Sequence, residues 1–465
     1  MTNKISTLVA LAAIVPCLLA AEGFLATFFL SDQHAVDKES FTFPEHGLPT
    51  NSGYFPLTKS ARMFYAYYEA IEPVSSLSQT PIILWLQGGP GCSSMIGNFY
   101  EFGPWRTSAD LQLQRNEAPW NHRFGVLFVD NPVGSGFSIA ENDEDVPTNQ
   151  DQAASHLYSA LLSFFESHQS FRQRPFFIAG ESYAGKYVPA LGHHIMKRME
   201  ESAPLLRREL RDLELKGLKR TPFRLDGLII GNGLTDPKIQ VQTHAATAYS
   251  FGLIDKQQRA HVNELAEGVV KLIEKEDWLA AYKARTNLVD WIQNASALAT
   301  VLDVRRSVPY HCGEDGTEFL APFLNRNSVK AALNAEQNAV WMPCNPRVRK
   351  IMANDTMKSV KWMVEELLPI FPVLLYQGQY DIKDGVVSSE EWMRTLTWEG
   401  SDNFFSTERT IWRVGNAIAG YWHSFKTLTH VVVLGAGHQV PADQGLNSQR
   451  MIERWIESVL GTAQS

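Results

Sequence analysis

The stretch Pro175-Phe176-Phe177-Ile178-Ala179-Gly180-Glu181-Ser182-Tyr183-Ala184-Gly185 decides how this chain is read. A short apolar run enters it, and a helix-compatible run from Lys186 to Met199 leaves it. Strand, tight small-residue turn, serine and helix is the order that holds a serine hydroxyl out on a strained turn. The residues two positions either side of that serine must be small, and Gly180 and Ala184 meet the demand. Alanine stands where glycine is the general choice and adds only a methyl. Alone, the turn is also what an ordinary glycine-flanked strand-to-helix connection looks like, so the rest of the chain has to decide.

A nucleophilic serine needs a base to take its proton and an acid to orient that base. In α/β hydrolases the chain order is serine, then aspartate or glutamate, then histidine. Downstream of Ser182, Asp381 follows the apolar run Val373-Tyr376, and His438 follows Val431-Leu434. Each lies in a loop after an expected strand, at the sheet edge where reacting groups gather in open α/β folds. Asp384 is the lesser candidate for the acid. The chemistry also needs two N–H donors aimed at the developing oxyanion. Tyr183, the residue after the serine, supplies one. Gly88-Gly89-Pro90-Gly91, a glycine-rich loop after Ile82-Leu86, is the expected source of the other.

The apolar runs Ile82-Leu86, Val126-Val129, Phe176-Ala179, Leu228-Ile230, Val373-Tyr376 and Val431-Leu434 read as buried strands. From Asp151 to His168, Ala154, Leu157, Tyr158, Leu161, Phe164 and Phe165 share one helical face. A last helix is expected near Ser448 to Leu460. Strands alternating with helices argue an α/β fold, a mostly parallel central sheet flanked by helices. Asp255 to Asn294 is long, charged and helix-forming without a convincing strand. We therefore expect core segments at 22–236 and 370–465 and a helical insertion, or cap, at 237–369. The charged stretch Arg198 to Arg224 reads as a solvated surface extension, with a processed linker as the alternative.

The chain has 465 residues, 45% of them apolar and 20% charged, which is ordinary for a globular protein. A net charge of -8 gives no footprint for nucleic acid. Lys4, the apolar segment Ile5 to Ala21 and the small residues before Glu22 have the pattern of a cleaved signal peptide, here 1–21. A membrane anchor is the competing reading, but Glu22 and Gly23 interrupt the apolar run before Phe24, and no other stretch reaches the ~20 apolar residues of a span. Cleavage would leave Cys92, Cys312 and Cys344, so at most one internal disulfide forms and one thiol is spare. Close Cys/His pairs with zinc spacing are lacking, so no metal is expected. The sequons at Asn294 and Asn354 are candidate glycan sites.

The chain resembles the serine carboxypeptidases of the α/β-hydrolase superfamily, the plant serine carboxypeptidase-like proteins above all. Six blocks carry the resemblance in order. They are Trp85 to Ser94, Glu101-Phe102-Gly103-Pro104, Asn131 to Ser138, the Ser182 turn, Gly231 to Pro237, and Gly435 to Pro441. The resemblance implies a triad of Ser182, Asp381 and His438, oxyanion donors at Gly89 and Tyr183, and no cofactor. It implies a Trp85, Gln87, Glu101 and Glu181 set that holds the terminal carboxylate of a peptide or protein substrate. Gln87 stands where the family usually has asparagine. It implies a disulfide Cys92–Cys344, with Cys312 spare, and a secretory-route protein, extracellular or vacuolar/lysosomal.

The implied glutamate pair has a physical consequence. Two ionised carboxylates would repel a third, whereas two held close and buried keep a proton above the usual ~4.3. Activity is then expected in acid. Acyl transfer from glucose esters is the alternative use of the same triad, and Glu181 favours the peptidase because the acyltransferase relatives share aspartate before the serine. A non-catalytic binding protein on the same fold is a third reading.

Overall fold

The computed structural model describes residues 43–213, 223–306 and 319–461. The expected signal segment, Cys312 and part of the 198–224 stretch lie outside the described residues. The strands are β1 (Asn51–Pro56), β2 (Ala61–Tyr68), β3 (Ile82–Leu86), β4 (Trp105–Thr107), β5 (Leu113–Arg115), β6 (Gly125–Val129) and β7 (Ile139–Ala140). They continue with β8 (Phe176–Glu181), β9 (Gly227–Gly231), β10 (Val373–Gly378), β11 (Thr410–Val414), β12 (Ala417–Phe425) and β13 (Leu428–Val433). The five longest described helices are α1 (Gln150–Ser167), α2 (Ala184–Leu213), α3 (Lys256–Glu274), α4 (Trp278–Ser296) and α5 (Gly445–Val459).

One large sheet runs in the order β1-β2-β6-β3-β8-β9-β10-β13-β12-β11, with β7 on β2. The central strands β6, β3, β8, β9, β10 and β13 are parallel, and the flanking pairs are antiparallel. Parallel strands covered on both faces must be apolar throughout, and β3, β8, β9 and β10 are buried at every position. Side chains alternate faces along a strand. Thus Ile82, Leu84 and Leu86 join one core layer with Ile178 and Leu375, while Ile83 and Trp85 join the other with Phe177 and Leu374. Leu157, Leu161 and Phe164 of α1 and Val188 and Leu191 of α2 cover the first face. Met451, Ile452, Trp455 and Ile456 of α5 cover the second.

The outer strands β1, β2, β11 and β12 carry no clean sequence signal. β12 alternates weakly and is largely exposed at its start, so its place is set by pairing with β13. The long Asp255 to Asn294 stretch is two helices. Asp255 caps α3 by accepting from Gln258 N at 2.8 Å. The chain then reverses at Glu276, whose φ is 57°, and Asp277 caps α4 through Ala280 N. Between β9 and β10 the described residues form helices and no strand. Their apolar faces make a separate cluster that includes Val262, Val269, Leu288 and Ile292 and closes on Ile382, next to Asp381.

Candidate active site

Ser182 sits between β8 and α2 with φ of 61°. That left-handed conformation costs a non-glycine residue about 1–3 kcal/mol and has to be held by its surroundings. Ser182 N donates to Gly231 O at 3.0 Å, and its carbonyl accepts from Gly185 N and Leu234 N, each at 2.9 Å. The small-residue requirement is visible in space. A Cβ on Gly180 would lie 2.6 Å from the Ala184 Cβ, so glycine at one position is what lets alanine stand at the other.

Asp381 follows β10 and is fully enclosed. Its Oδ2 accepts from His438 Nδ1 at 2.6 Å and from Asn232 Nδ2 at 2.7 Å. Its Oδ1 accepts from the backbone N–H of Lys383 at 2.8 Å and of Asp384 at 3.3 Å. Burial works to raise this carboxyl, but His438 and these donors outweigh it and hold the pKa below the usual aspartate value. An ionised Asp381 bonded to Nδ1 leaves Nε2 of His438 as the free proton acceptor. Ser182 Oγ makes no hydrogen bond to His438 among the described residues; catalytic contacts are often loose before substrate binds.

The loops of Asp381 and His438 are strapped by one short segment of the helical region. Ile382 N donates to Val301 O at 3.2 Å, His438 N to Leu302 O at 2.8 Å, and Val304 N to Tyr380 O at 3.1 Å. Arg305 adds Nη1 to Gly435 O at 2.6 Å and ion pairs to Asp303 and Asp443. Asp443 in turn accepts from Gly437 N at 2.7 Å.

The Gly88–Gly91 loop faces the serine turn so closely that a Cβ on Gly88 would lie 2.5 Å from Tyr183 N and 2.7 Å from the Ser182 Cβ. Cys92 and Cys344 form a disulfide across 252 residues. Ser93 N to Pro343 O and Asn345 N to Gly91 O, each 2.8 Å, complete the junction. The buried Asp130 accepts from Ser93 Oγ, Ser94 N and Phe137 N at 2.7–2.8 Å and fixes the loop from beneath.

Trp85, Gln87, Glu101 and Glu181 form one buried cluster. Trp85 Nε1 donates to Gln87 Oε1 at 2.9 Å, which fixes the amide so that Nε2 points at both carboxyls. Nε2 donates to Glu181 Oε1 at 2.7 Å and to Glu101 Oε1 at 3.2 Å. The extra methylene of glutamine is thus used to span the pair. Burial raises Glu101 to about 7 against the bonds from Gln87 and Gln439. Burial first, then the charge of Glu101, push Glu181 well above the usual range against the bond from Gln87. Both carboxyls therefore keep their protons to higher pH than an ordinary glutamate. The charge of His438 is felt at Glu101, so the cluster adjoins His438.

Three contributors escaped the sequence reading. Asn232, with φ of 42°, also accepts from Gly378 N at 3.2 Å and so links β9, β10 and Asp381. An Asn-Gly pair directly after a strand was its available signal. Gln439 donates to Glu101 at 3.4 Å, and Arg106 donates to the carbonyls of Glu101 and Pro441. Asp384, the lesser candidate for the acid, makes no hydrogen bond to His438 among the described residues and pairs with Arg285 at 3.1 Å. Asn294 and Asn354 are both exposed. Among the described residues no group of acidic, histidine and cysteine side chains is arranged to hold a metal, and no helix is long and apolar enough to cross a membrane.

A mostly parallel sheet, a strained serine at a strand-to-helix turn and an aspartate–histidine pair on later strands define an α/β hydrolase. A profile of the serine carboxypeptidase family matches residues 41–458, and the chain belongs to that family, a group of hydrolases. It is 46% identical over 418 residues to serine carboxypeptidase-like 50 of Arabidopsis thaliana, covering 89% of each chain. It is 32% identical to the venom serine carboxypeptidase of Apis mellifera, over 88% of this chain and 84% of that one. The fold also matches Kex1Δp, a prohormone-processing carboxypeptidase of Saccharomyces cerevisiae, with a TM-score of 0.76 at 22% identity, covering 90% and 93% of the two chains.

Proposed function

We propose that this chain removes single amino acids from the C-termini of peptides and proteins in acid, through an acyl-enzyme on Ser182. Ser182 Oγ attacks the last peptide carbonyl while His438 Nε2 takes its proton, oriented by Asp381. The oxyanion is met by the N–H groups of Gly89 and Tyr183. His438 returns the proton to the leaving amine, an ester remains on Ser182, and water attacks it to release the shortened peptide. No metal or cofactor enters these steps.

The observation that carries the reading is the Gln87-bridged pair Glu101 and Glu181 beside His438. Below about pH 7 the pair is protonated, so it donates to a substrate carboxylate instead of repelling it. As pH rises through that value, a negative charge appears beside the bound terminus and substrate binding weakens. Glu181 before the serine also favours peptides over glucose esters.

We further propose that residues 237–369 act as a cap over the site, that Asn294 and Asn354 carry glycans, and that residues 1–21 direct the chain to the secretory route, extracellular or vacuolar. The disulfide supports that compartment. The deciding assay offers N-blocked dipeptides and glucose esters side by side in mild acid, after labelling with a fluorophosphonate probe. Release of C-terminal amino acids, with labelling lost in Ser182→Ala, is the expected result. Turnover of glucose esters only with an alcohol acceptor would replace it with acyl transfer. A chain that neither labels nor turns over would be a binding protein.

A further inference from the structure

Beside Ser182 lies a cavity of about 250 Å³ bounded by Gly89, Ser182 and Tyr183 on one side and by charged residues on the other. The charged wall is Arg285 of α4, Lys383 after β10, and the exposed Arg349. Trp85, Gln87, Glu101 and Glu181 take no part in lining it. A peptide whose terminal carboxylate sits among those four residues therefore offers this cavity the side chain on the acyl side of the scissile bond.

Two cationic groups there lack a full set of partners. Arg285 is 8% exposed, and its Nη2 is met by Asp384 at 3.1 Å, but its buried Nε has no hydrogen-bond partner among the described residues. The Lys383 ammonium makes no hydrogen bond or ion pair among the described residues. Burial first, then the like charges of Arg285 and Arg349, weigh against its protonated form, while Asp384 and Asp381 favour it. Of the carboxylates lining the cavity, Asp384 is committed to Arg285 and Asp290 is exposed. Three cations and two carboxylates line the cavity and the ionised Asp381 lies beside Lys383, so the group left to meet an added anion is the Lys383 ammonium, which has no partner among the described residues.

We propose that this cavity is an anion site that selects peptides with aspartate or glutamate immediately on the acyl side of the scissile bond, the Lys383 ammonium meeting the substrate carboxylate beside Arg285. The proposal rests on the peptidase reading above. It is tested by kcat/KM for N-blocked dipeptides with a constant leaving phenylalanine preceded by glutamate, glutamine or lysine. The assay is run at about pH 5.5, where a glutamate side chain of pKa ~4.3 is ionised. The wild-type protein is expected to favour glutamate over glutamine by about tenfold, with lysine the poorest. Lys383→Met brings glutamate down toward glutamine, and Lys383→Glu reverses the order of glutamate and lysine. Equal turnover of glutamate and glutamine by wild type, or a glutamate-to-lysine ratio unchanged in both variants, overturns the anion site and leaves the peptidase reading intact. Release of phenylalanine from none of the three overturns the peptidase reading and this inference with it. The wild-type series does not depend on any variant folding.

Discussion

Gln87 donates its amide nitrogen to Glu181 at 2.7 Å, and the same nitrogen reaches Glu101 at 3.2 Å. Among the described residues the amide is the only side chain that bonds both carboxyls, and Trp85 fixes which of its ends faces them. Gln87→Leu keeps the bulk and removes the donor. We expect KM for peptides to rise about tenfold or more with kcat less affected, and stability to fall by about 1–3 kcal/mol for the Glu181 oxygen left without a donor. Steady-state kinetics and urea unfolding check both. An unchanged KM would mean the amide does not organise the pair.

Gly88 approaches the serine turn where no side chain fits, since a Cβ there would lie 2.5 Å from Tyr183 N. Gly88→Ala places a methyl against the proposed oxyanion donor. Loss of one such donor costs about 10²–10³ in kcat. Kinetics on protein whose circular dichroism matches wild type should show a fall of that order, and a near-normal kcat would exclude Tyr183 N from that role.

Asn232 ties Asp381 to the end of β10. Because its φ is 42°, glycine removes the side chain without straining the backbone. Asn232→Gly deletes a donor that favours ionised Asp381, so the carboxylate becomes more basic. The acid limb of kcat/KM is expected to move to higher pH, with kcat about tenfold lower. A purely structural role would lower the unfolding midpoint and leave the limb in place.

The Cys92–Cys344 bond joins the glycine loop to the helical region across 252 residues. Replacing both cysteines with serine is expected to cost about 2–4 kcal/mol in urea unfolding. It should also lower kcat more than KM, since the loop carrying Gly89 loses an anchor. Equal stability of the two proteins would show that the flanking backbone bonds suffice.

The parallel strands were legible because both their faces are covered, which forces continuous apolar runs such as Ile82-Leu86 and Val373-Tyr376. For the same reason the positions of Ser182, Asp381 and His438 at strand ends could be read in order. β1, β2, β11 and β12 escaped because antiparallel pairing, not composition, places them. The strap at Val301 to Arg305 escaped for a different reason. Its bonds run to Tyr380, Ile382, Gly435 and His438, far away in the chain, and no local pattern announces a contact at that separation. Gln87 looked like a departure from a family residue. Its use became clear only with the 2.7 Å and 3.2 Å bonds to the two glutamates.

The central claim is that the protonated pair Glu101 and Glu181 lets the site accept a carboxylate in acid. Burial raises both carboxyls, Glu101 to about 7, so the protonated pair is lost as pH rises through that value. The most direct measurement is the pH dependence of kcat/KM for wild type and for the double variant Glu101→Gln, Glu181→Gln, on one blocked dipeptide. Wild type should show an alkaline limb near pH 7, and the variant, which has no proton to lose there, should show none. The same limb in both proteins would contradict the account.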